Sequence, residues 1–502
     1  MGGQSETIEA QPQAGEQSLS RRGLDLDRTY LVLAVLVVVG LGLSQTIDPS
    51  DYWWHLASAR EILAAGSVPS TDVFSWTMAG EPFFTQPWLG QLHLYWPHVL
   101  GGPPVALLVH AVVLATAYGG LLAWLTRITE RPRLCAVVVL LFTVPLSTMN
   151  WNLRPQTLAL PLLVVFVVIL DAVRRGADRR WLWLLPAVML LWVNVHGSFP
   201  LGLGLAGLVL AGEAWRSRAR LPGAMSRQGL LHLAAVVVAC TAATLANPRG
   251  FGVVGYVIEL LTSTSVGPLV TEWRSPVVTE LGGLFFFVGT LAVVGALLRA
   301  PQRPSATDLL VVTAFWLIAL TGIRHVLWFA VVATPLLATS LAEAFSARQK
   351  RADVPALNAA LVVVVGLGVV VASPWVRPHV LDSPQGQLLA PNTPVEAAAV
   401  LDELEDAPER MFNDIAMGSY LTWAAPDVPV FMDPRFELYP LEQWLDYRDF
   451  GAGVRVDDIL ESYAFDALLL DRVAQAPLID VLEELRWETV HEDERAVLLR
   501  AR

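Results

Sequence analysis

What this chain can fold into is limited first by about eleven apolar stretches, at 30–47, 103–126, 133–149, 155–172, 181–195, 199–215, 229–246, 281–298, 307–322, 324–345 and 356–374. A helix needs about 17 to 25 mostly apolar residues to cross a hydrocarbon core of roughly 30 Å, and most of these stretches reach that length. Composition agrees, since 54% of the 502 residues are hydrophobic and only 16% are charged. A soluble domain is excluded. The reading is a polytopic α-helical membrane protein.

Basic residues in short loops stay on the cytoplasmic side, so their placement predicts orientation. With the N-terminus inside, cytoplasmic segments collect Arg21, Arg22 and Arg28, then clusters around Arg131, Arg174, Arg218, Arg299 and Arg348. The opposite loops, as far as the last span, hold only Arg60, Arg154, Arg249, Arg274 and Arg324. An odd number of spans then places the C-terminal tail outside. Residues 1–28 are read as a disordered cytoplasmic N-terminus, its first twenty residues being rich in Gln, Glu, Ser and Gly. "SRRGLDL" at Ser20 resembles a twin-arginine signal but fits better as the positive flank of a first span. Cys135 and Cys240 fall inside spans and read as core thiols.

Residues 29–376 form the transmembrane domain, with an external loop at 48–102, and residues 377–502 form an extracytoplasmic α/β domain. Its strands are expected at "APERMFND", "VPVFMDPRF", "FDALLLDR" and "RAVLLRA", with helices between them. Asp414, Asp433 and Arg435 stand at strand ends, where they either meet a ligand or cap turns and hold the domain to the membrane body. The tail carries 26 Asp and Glu against 10 Arg. That acidity points to a solvated surface and away from nucleic acid.

No P-loop, GxGxxG fingerprint or internal repeat stands out, which argues against an ATP-driven pump. Charges gather in loops and at span ends, not in mid-span, and this favours chemistry at the membrane surface over secondary transport. The loop "TIDPSDYWWHLASAREILAAGSVPSTDVFSW" opens that possibility. Asp48-Pro49-Ser50-Asp51 reads as a helix start, with Asp48 at the N-cap and Pro49 at the first helical position. Asp51, His55 and Ser58 then follow on one face of an interfacial helix, with Trp53 and Trp54 at headgroup level. Two carboxylates and an imidazole there either accept a proton from an attacking hydroxyl or hold a divalent cation through Asp48, Asp51 and His55.

These residues, with "GEPFFTQPWLGQLHLY" after them, resemble the first external loop of the GT-C superfamily of membrane glycosyltransferases, especially bacterial proteins similar to dolichyl-phosphate-mannose-protein mannosyltransferases. The many-span body and external α/β tail share that layout. The resemblance implies sugar transfer from a polyprenyl-phosphate-linked donor to an envelope acceptor (protein, lipid or polysaccharide), usually with inversion, in a bacterial cytoplasmic membrane. It also implies an Asp of this loop as general base, here Asp51 or Asp48, in a D-x-x-D pattern that departs from the family's adjacent acidic pair. No cofactor is implied beyond the candidate divalent cation. The alternatives are an oligosaccharide ligase or polymerase using polyprenyl diphosphate, and a lipid flippase or transporter.

A phosphate leaving group in a poorly hydrated cleft needs cations. The external candidates are Arg154, Arg324, Arg249 and Arg274, of which Arg154 and Arg324 lie at span mouths. His196, His325, Glu272 and Trp88 are candidates for lining the same cleft together with His55, although an interfacial anchor is the ordinary role of such a Trp.

Overall fold

The computed structural model describes residues 24–262, 271–345, 354–381, 386–483 and 487–501. Residues 1–23, with Arg21 and Arg22, lie outside these, as do 263–270 and the loop holding Arg348, Lys350 and Arg351. Each of the eleven apolar stretches is helical. The bundle comprises α1 (Leu26–Leu43), α2 (Tyr52–Ala65), α3 (Trp88–Thr129), α4 (Pro132–Val138), α5 (Val144–Ser147), α6 (Pro155–Arg174), α7 (Leu185–Val195), α8 (Pro200–Arg218), α9 (Arg227–Ala243), α10 (Gly252–Thr262), α11 (Leu281–Arg299), α12 (Ala306–Ala319), α13 (Val326–Ala344) and α14 (Pro355–Ala372). Seven stretches among the described residues are long and apolar enough to cross a membrane unaided: α1, α3, Pro132–Asn150, α6, α11, Ile323–Ala344 and α14. α9 and α12 are shorter apolar helices.

Local chemistry explains where several of these helices start, bend and stop. Asp25 caps α1 by accepting from the Arg28 amide at 2.8 Å, and the buried Arg377 guanidinium takes up carbonyls at its far end, Leu43 at 3.1 Å and Gln45 at 2.7 Å. Those carbonyls otherwise have no intrahelical donor. α3 is two helices joined at a kink, where Gly101 and Gly102 leave helical geometry ahead of Pro103 and Pro104. Gly102, at φ 65°, adopts a backbone that side chains resist. α4 and α5 are joined through a π-helical turn, Val139–Thr143. α13 runs through the centre of the bundle, whereas α14 is almost entirely unburied and so presents its apolar side chains outward.

The tail adds α15 (Arg377–Val380), α16 (Val395–Asp402), β1 (Met411–Asn413), α17 (Ile415–Ala424), α18 (Leu441–Gly451), α19 (Val456–Tyr463), β2 (Ala467–Asp471), α20 (Ala476–Leu482), β3 (Trp487–Glu492) and β4 (Ala496–Ala501). Its sheet runs β1-β2-β4-β3, with β1 and β2 parallel and the other pairs antiparallel. Two features differ from the sequence expectation. The hairpin partner β3 is an added strand, and "VPVFMDPRF" is not a sheet strand. Instead Val430 bridges to Ser75 of the first loop, exchanging backbone hydrogen bonds with Phe74 and Trp76 at 3.0 Å. The loop takes up the edge that the sheet would otherwise use.

Tail and first loop share one core, in which Ile47, Tyr52, Trp53 and Leu56 pack with Met417, Leu421, Leu469 and Leu498. Ser419 Oγ accepts from the Trp54 amide at 3.1 Å, and Arg60 donates to the carbonyls of Thr422 and Trp423. Deeper still, Arg435 joins Asp433 and Asp72 at 2.6 and 2.5 Å, all three buried, with the Phe74 and Phe83 rings about its guanidinium at 5.0 and 4.9 Å. Burial opposes that charge, but Asp433 and Asp72 outweigh it and keep Arg435 protonated. Of the two readings of the strand-end trio, this is the holding one. Asp414 caps α17 through the amides of Ala416 and Met417.

Candidate active site

The first loop enters α2 later than its sequence implies. Asp48 is exposed and its Oδ1 accepts from the Ser50 amide at 2.8 Å, closing a turn before the helix. Asp51 is the residue that precedes α2. Both aspartates suit an N-cap, and the side-chain turn at Asp48 competes with helix there.

Asp51 faces Arg154, the residue before Pro155 at the start of α6. Arg154 is 7% exposed and holds two carboxylates. Its Nη1 reaches Asp51 Oδ2 at 3.0 Å and Glu272 Oε2 at 2.9 Å, while Nη2 lies 2.9 Å from Glu272 Oε1. Glu272 is thus bound through both oxygens, whereas Asp51 keeps Oδ1 without a partner among the described residues. Arg324, in the turn Ile323–His325, lies over the Trp273 ring at 4.6 Å and within electrostatic reach of Arg154, Glu272, Asp51 and Tyr256. It forms no ion pair among the described residues. Close approach of backbones makes the cluster compact: a Cβ on Gly90 would lie 2.5 Å from the Val195 carbonyl oxygen and 2.9 Å from Pro155 Cβ.

Two imidazoles complete the cluster. His55 lies tilted against Trp54, ring centroids 3.8 Å apart, and pairs through Nδ1 with Gln91 at 3.2 Å, which in turn donates to Thr85. Burial, then the Arg154 charge, lowers its pKa to about 3. His196 accepts from the Ser198 amide at Nδ1, and burial followed by Arg324 and Arg154 holds it well below the ordinary imidazole value. Both are neutral at pH 7, so they offer hydrogen bonds and no charge.

This neutrality has a pH signature. Below about pH 6.5 the unfolded chain takes up protons that the folded imidazoles refuse, so the stability they allow is lost as pH falls below about 6.5, for His55 down to about 3. Each group contributes a slope of about 1.4 kcal/mol per pH unit in that window. The thermal unfolding midpoint is expected to drop between pH 7 and pH 5, and His55→Gln to flatten that drop measurably.

The remaining candidates fall away from the cluster or at its margin. Arg249 lies between Phe84 at 4.9 Å and Tyr256 at 5.1 Å, beside the site. Arg274 is exposed and contributes its carbonyl, which accepts from the Ile323 amide. His325 turns to Thr321 at 3.0 Å and meets Trp273 edge-on. Trp88 donates to Asn194 at 2.7 Å, bracing the loop against α7. Asp48, Asp51 and His55 do not converge as metal ligands. Among the described residues, one such trio has its ligand atoms within 4.8 Å: Glu396, His491 and Asp493, on the tail. Asp493 is already occupied there by the amides of Arg495 and Ala496 and by His491. Sequence reasoning missed Tyr256 and Gln91.

No family model and no curated protein matches this chain. Solved structures do. ArnT from Cupriavidus metallidurans, in its undecaprenyl phosphate complex, aligns with 93% of this chain and 97% of its own at 16% identity and TM-score 0.53. Its apo form aligns with 93% and 96% at 16% identity and TM-score 0.55. The Archaeoglobus fulgidus oligosaccharyltransferase tethered to an acceptor peptide aligns with 92% of this chain and 72% of its own, at 13% identity and TM-score 0.55. Both are GT-C proteins. The chain has the GT-C fold. The alignments run over more than nine tenths of this chain, although neither neighbour is a protein mannosyltransferase.

Proposed function

We propose that this GT-C protein transfers a sugar from a polyprenyl-phosphate-linked donor to an acceptor hydroxyl, at the extracytoplasmic face of a bacterial cytoplasmic membrane. The observation carrying this reading is the meeting of Asp51, Arg154, Glu272 and Arg324 at one mouth of the bundle, under the tail. ArnT with bound undecaprenyl phosphate supports a donor of that class.

In this scheme the acceptor oxygen attacks the anomeric carbon, its proton passes to the free Oδ1 of Asp51, and the bond from that carbon to the phosphate oxygen breaks with inversion. The electron pair leaves with the polyprenyl phosphate. Arg324, which forms no ion pair among the described residues, stabilises the departing phosphate. Arg154 fixes the Asp51 carboxylate, with Glu272 as its second anchor. A water-poor cleft strengthens each of these contacts.

The test offers protein in lipid nanodiscs a panel of polyprenyl-phosphate sugars and measures free polyprenyl phosphate, with and without EDTA. Release from one donor is expected. Release only from polyprenyl-diphosphate oligosaccharides would favour a ligase or polymerase. Movement of intact labelled lipid across liposomes, without release, would replace the enzyme by a flippase.

A further inference from the structure

Beside Arg154, three segments meet in one wall: the residues leading into α3, the end of α7, and the loop between α9 and α10. Gly90 joins this wall to the cluster, since its α-carbon packs between the Val195 carbonyl and Pro155, the neighbour of Arg154. Gln91 joins it again through His55, one turn beyond Asp51. Within the wall the Val193 carbonyl accepts from the side-chain amides of both Gln86 and Asn247, the latter at 3.2 Å. Asn194 Oδ1 accepts from Trp88 at 2.7 Å and from Asn247 at 3.2 Å, and its own amide donates to the Leu190 and Ala246 carbonyls. Asn247 Oδ1 accepts from the Arg249 amide at 3.0 Å.

Two atoms of this otherwise well-paired wall are buried without a hydrogen-bond partner among the described residues, Gln86 Oε1 and Arg249 Nη1. Gln86 is 1% exposed and cannot relieve its oxygen by turning the amide over, because the Val193 carbonyl only accepts. Tyr256 connects the two. A Cβ on Gly197 would lie 3.4 Å from the Tyr256 hydroxyl and 3.5 Å from Gln86 Oε1, and the Tyr256 ring lies 5.1 Å from the Arg249 guanidinium. An open acceptor and an open donor on one wall suit a group that offers both, as a sugar hydroxyl does. A phosphate does not suit it, because its oxygens would face the Gln86 oxygen, and an ammonium-bearing sugar would meet the Arg249 charge. Leaving either buried atom unpaired is costly, so pairing by a substrate is felt in affinity.

We propose that Gln86 and Arg249 form the subsite for the donor's sugar and select a neutral, hydroxylated glycosyl group. Gln86 Oε1 accepts from one hydroxyl, Arg249 Nη1 donates to another, and the missing side chain at Gly197 leaves room in front of them. The assignment rests on the transferase reading above. It moves Arg249 from the phosphate, where the sequence placed it, to the sugar.

The experiment uses full-length protein in nanodiscs and polyprenyl-phosphate donors that carry a neutral hexose, its monodeoxy analogues, an amino sugar or a uronic acid, with undecaprenyl phosphate as the sugarless probe. Equilibrium affinity is measured for each, beside release of polyprenyl phosphate. Wild type is expected to bind the hexosyl donor about tenfold or more tightly than the amino-sugar and uronate donors. Gln86→Leu and Arg249→Met are each expected to weaken the hexosyl donor by about tenfold and to keep undecaprenyl phosphate within about twofold. For each variant the loss is expected to vanish with the deoxy donor that lacks the hydroxyl concerned, a coupling that a general structural defect does not produce. Gln86→Leu is expected to keep the wild-type unfolding midpoint, because Val193 retains Asn247 as donor. Equal weakening of undecaprenyl phosphate and the hexosyl donor, or weakening of neither, overturns the subsite. Tighter wild-type binding of the amino-sugar or uronate donor overturns the sugar class. A wild-type protein that releases nothing from any donor overturns the transferase reading and this assignment with it.

Discussion

Asp51→Asn is expected to lower polyprenyl phosphate release by about 10²- to 10⁴-fold, the range for loss of a positioned general base, while donor affinity changes by only a few-fold. The choice between two carboxylates on one arginine is made by their free atoms. Glu272 spends both oxygens on Arg154, and Asp51 spends one. Removing the Asp51 charge leaves Arg154 still held bidentately by Glu272, so the fold should survive and the loss should fall on the rate. Glu272→Gln has the opposite profile, because Arg154 then keeps a single charged partner and donor hydrolysis survives at a reduced level. The decisive measurement pairs single-turnover donor hydrolysis with equilibrium donor binding for both variants. Retention of more than about a tenth of the wild-type rate by Asp51→Asn would remove it from the base position.

The second large effect concerns Arg435→Met. Stripping the cation from Asp72 and Asp433 strands two carboxylates that are 3% and 0% exposed. Breaking a buried ion pair in this way costs about 3–5 kcal/mol, because the remaining charge stays desolvated. The tail is expected to detach from the first loop, with early proteolysis in residues 428–440 and a fall in the thermal midpoint. Replacing all three charges together, with Asp72→Leu and Asp433→Leu added, should restore much of the loss, since an apolar cluster of similar volume is often as stable as the ions it replaces. If Arg435→Met alone leaves the midpoint and the proteolysis pattern unchanged, the clamp does not hold the tail.

How far the sequence anticipated this site follows from what each residue's position says by itself. Spans are legible because lipid demands an uninterrupted apolar length, and Arg154 and Arg324 stand out because a charge at a span mouth needs a partner. Which partner is a different matter. Glu272 lies 118 residues from Arg154, and nothing in the intervening sequence links them. Asp48 and Asp51 were indistinguishable by pattern, both suiting a helix start, until the side-chain turn at Asp48 placed the helix beyond it. Trp88 read as a cleft-lining residue or an interfacial anchor because its partner, Asn194, sits on another helix. The supposed strand at Val430 carried an ordinary strand pattern, yet its edge is taken by a loop from the other end of the chain.

The clamp between Asp72 and Arg435 spans 363 positions along the chain. At about 5–20 residues per second, a ribosome needs roughly 20 to 70 s to make the second partner after the first. Throughout that interval Trp53, Leu56 and the Asp72 carboxylate wait outside the bundle with their tail-side partners not yet made. Biogenesis of this protein therefore carries a long vulnerable interval, and chains truncated before residue 411 should be ready substrates for quality-control proteases.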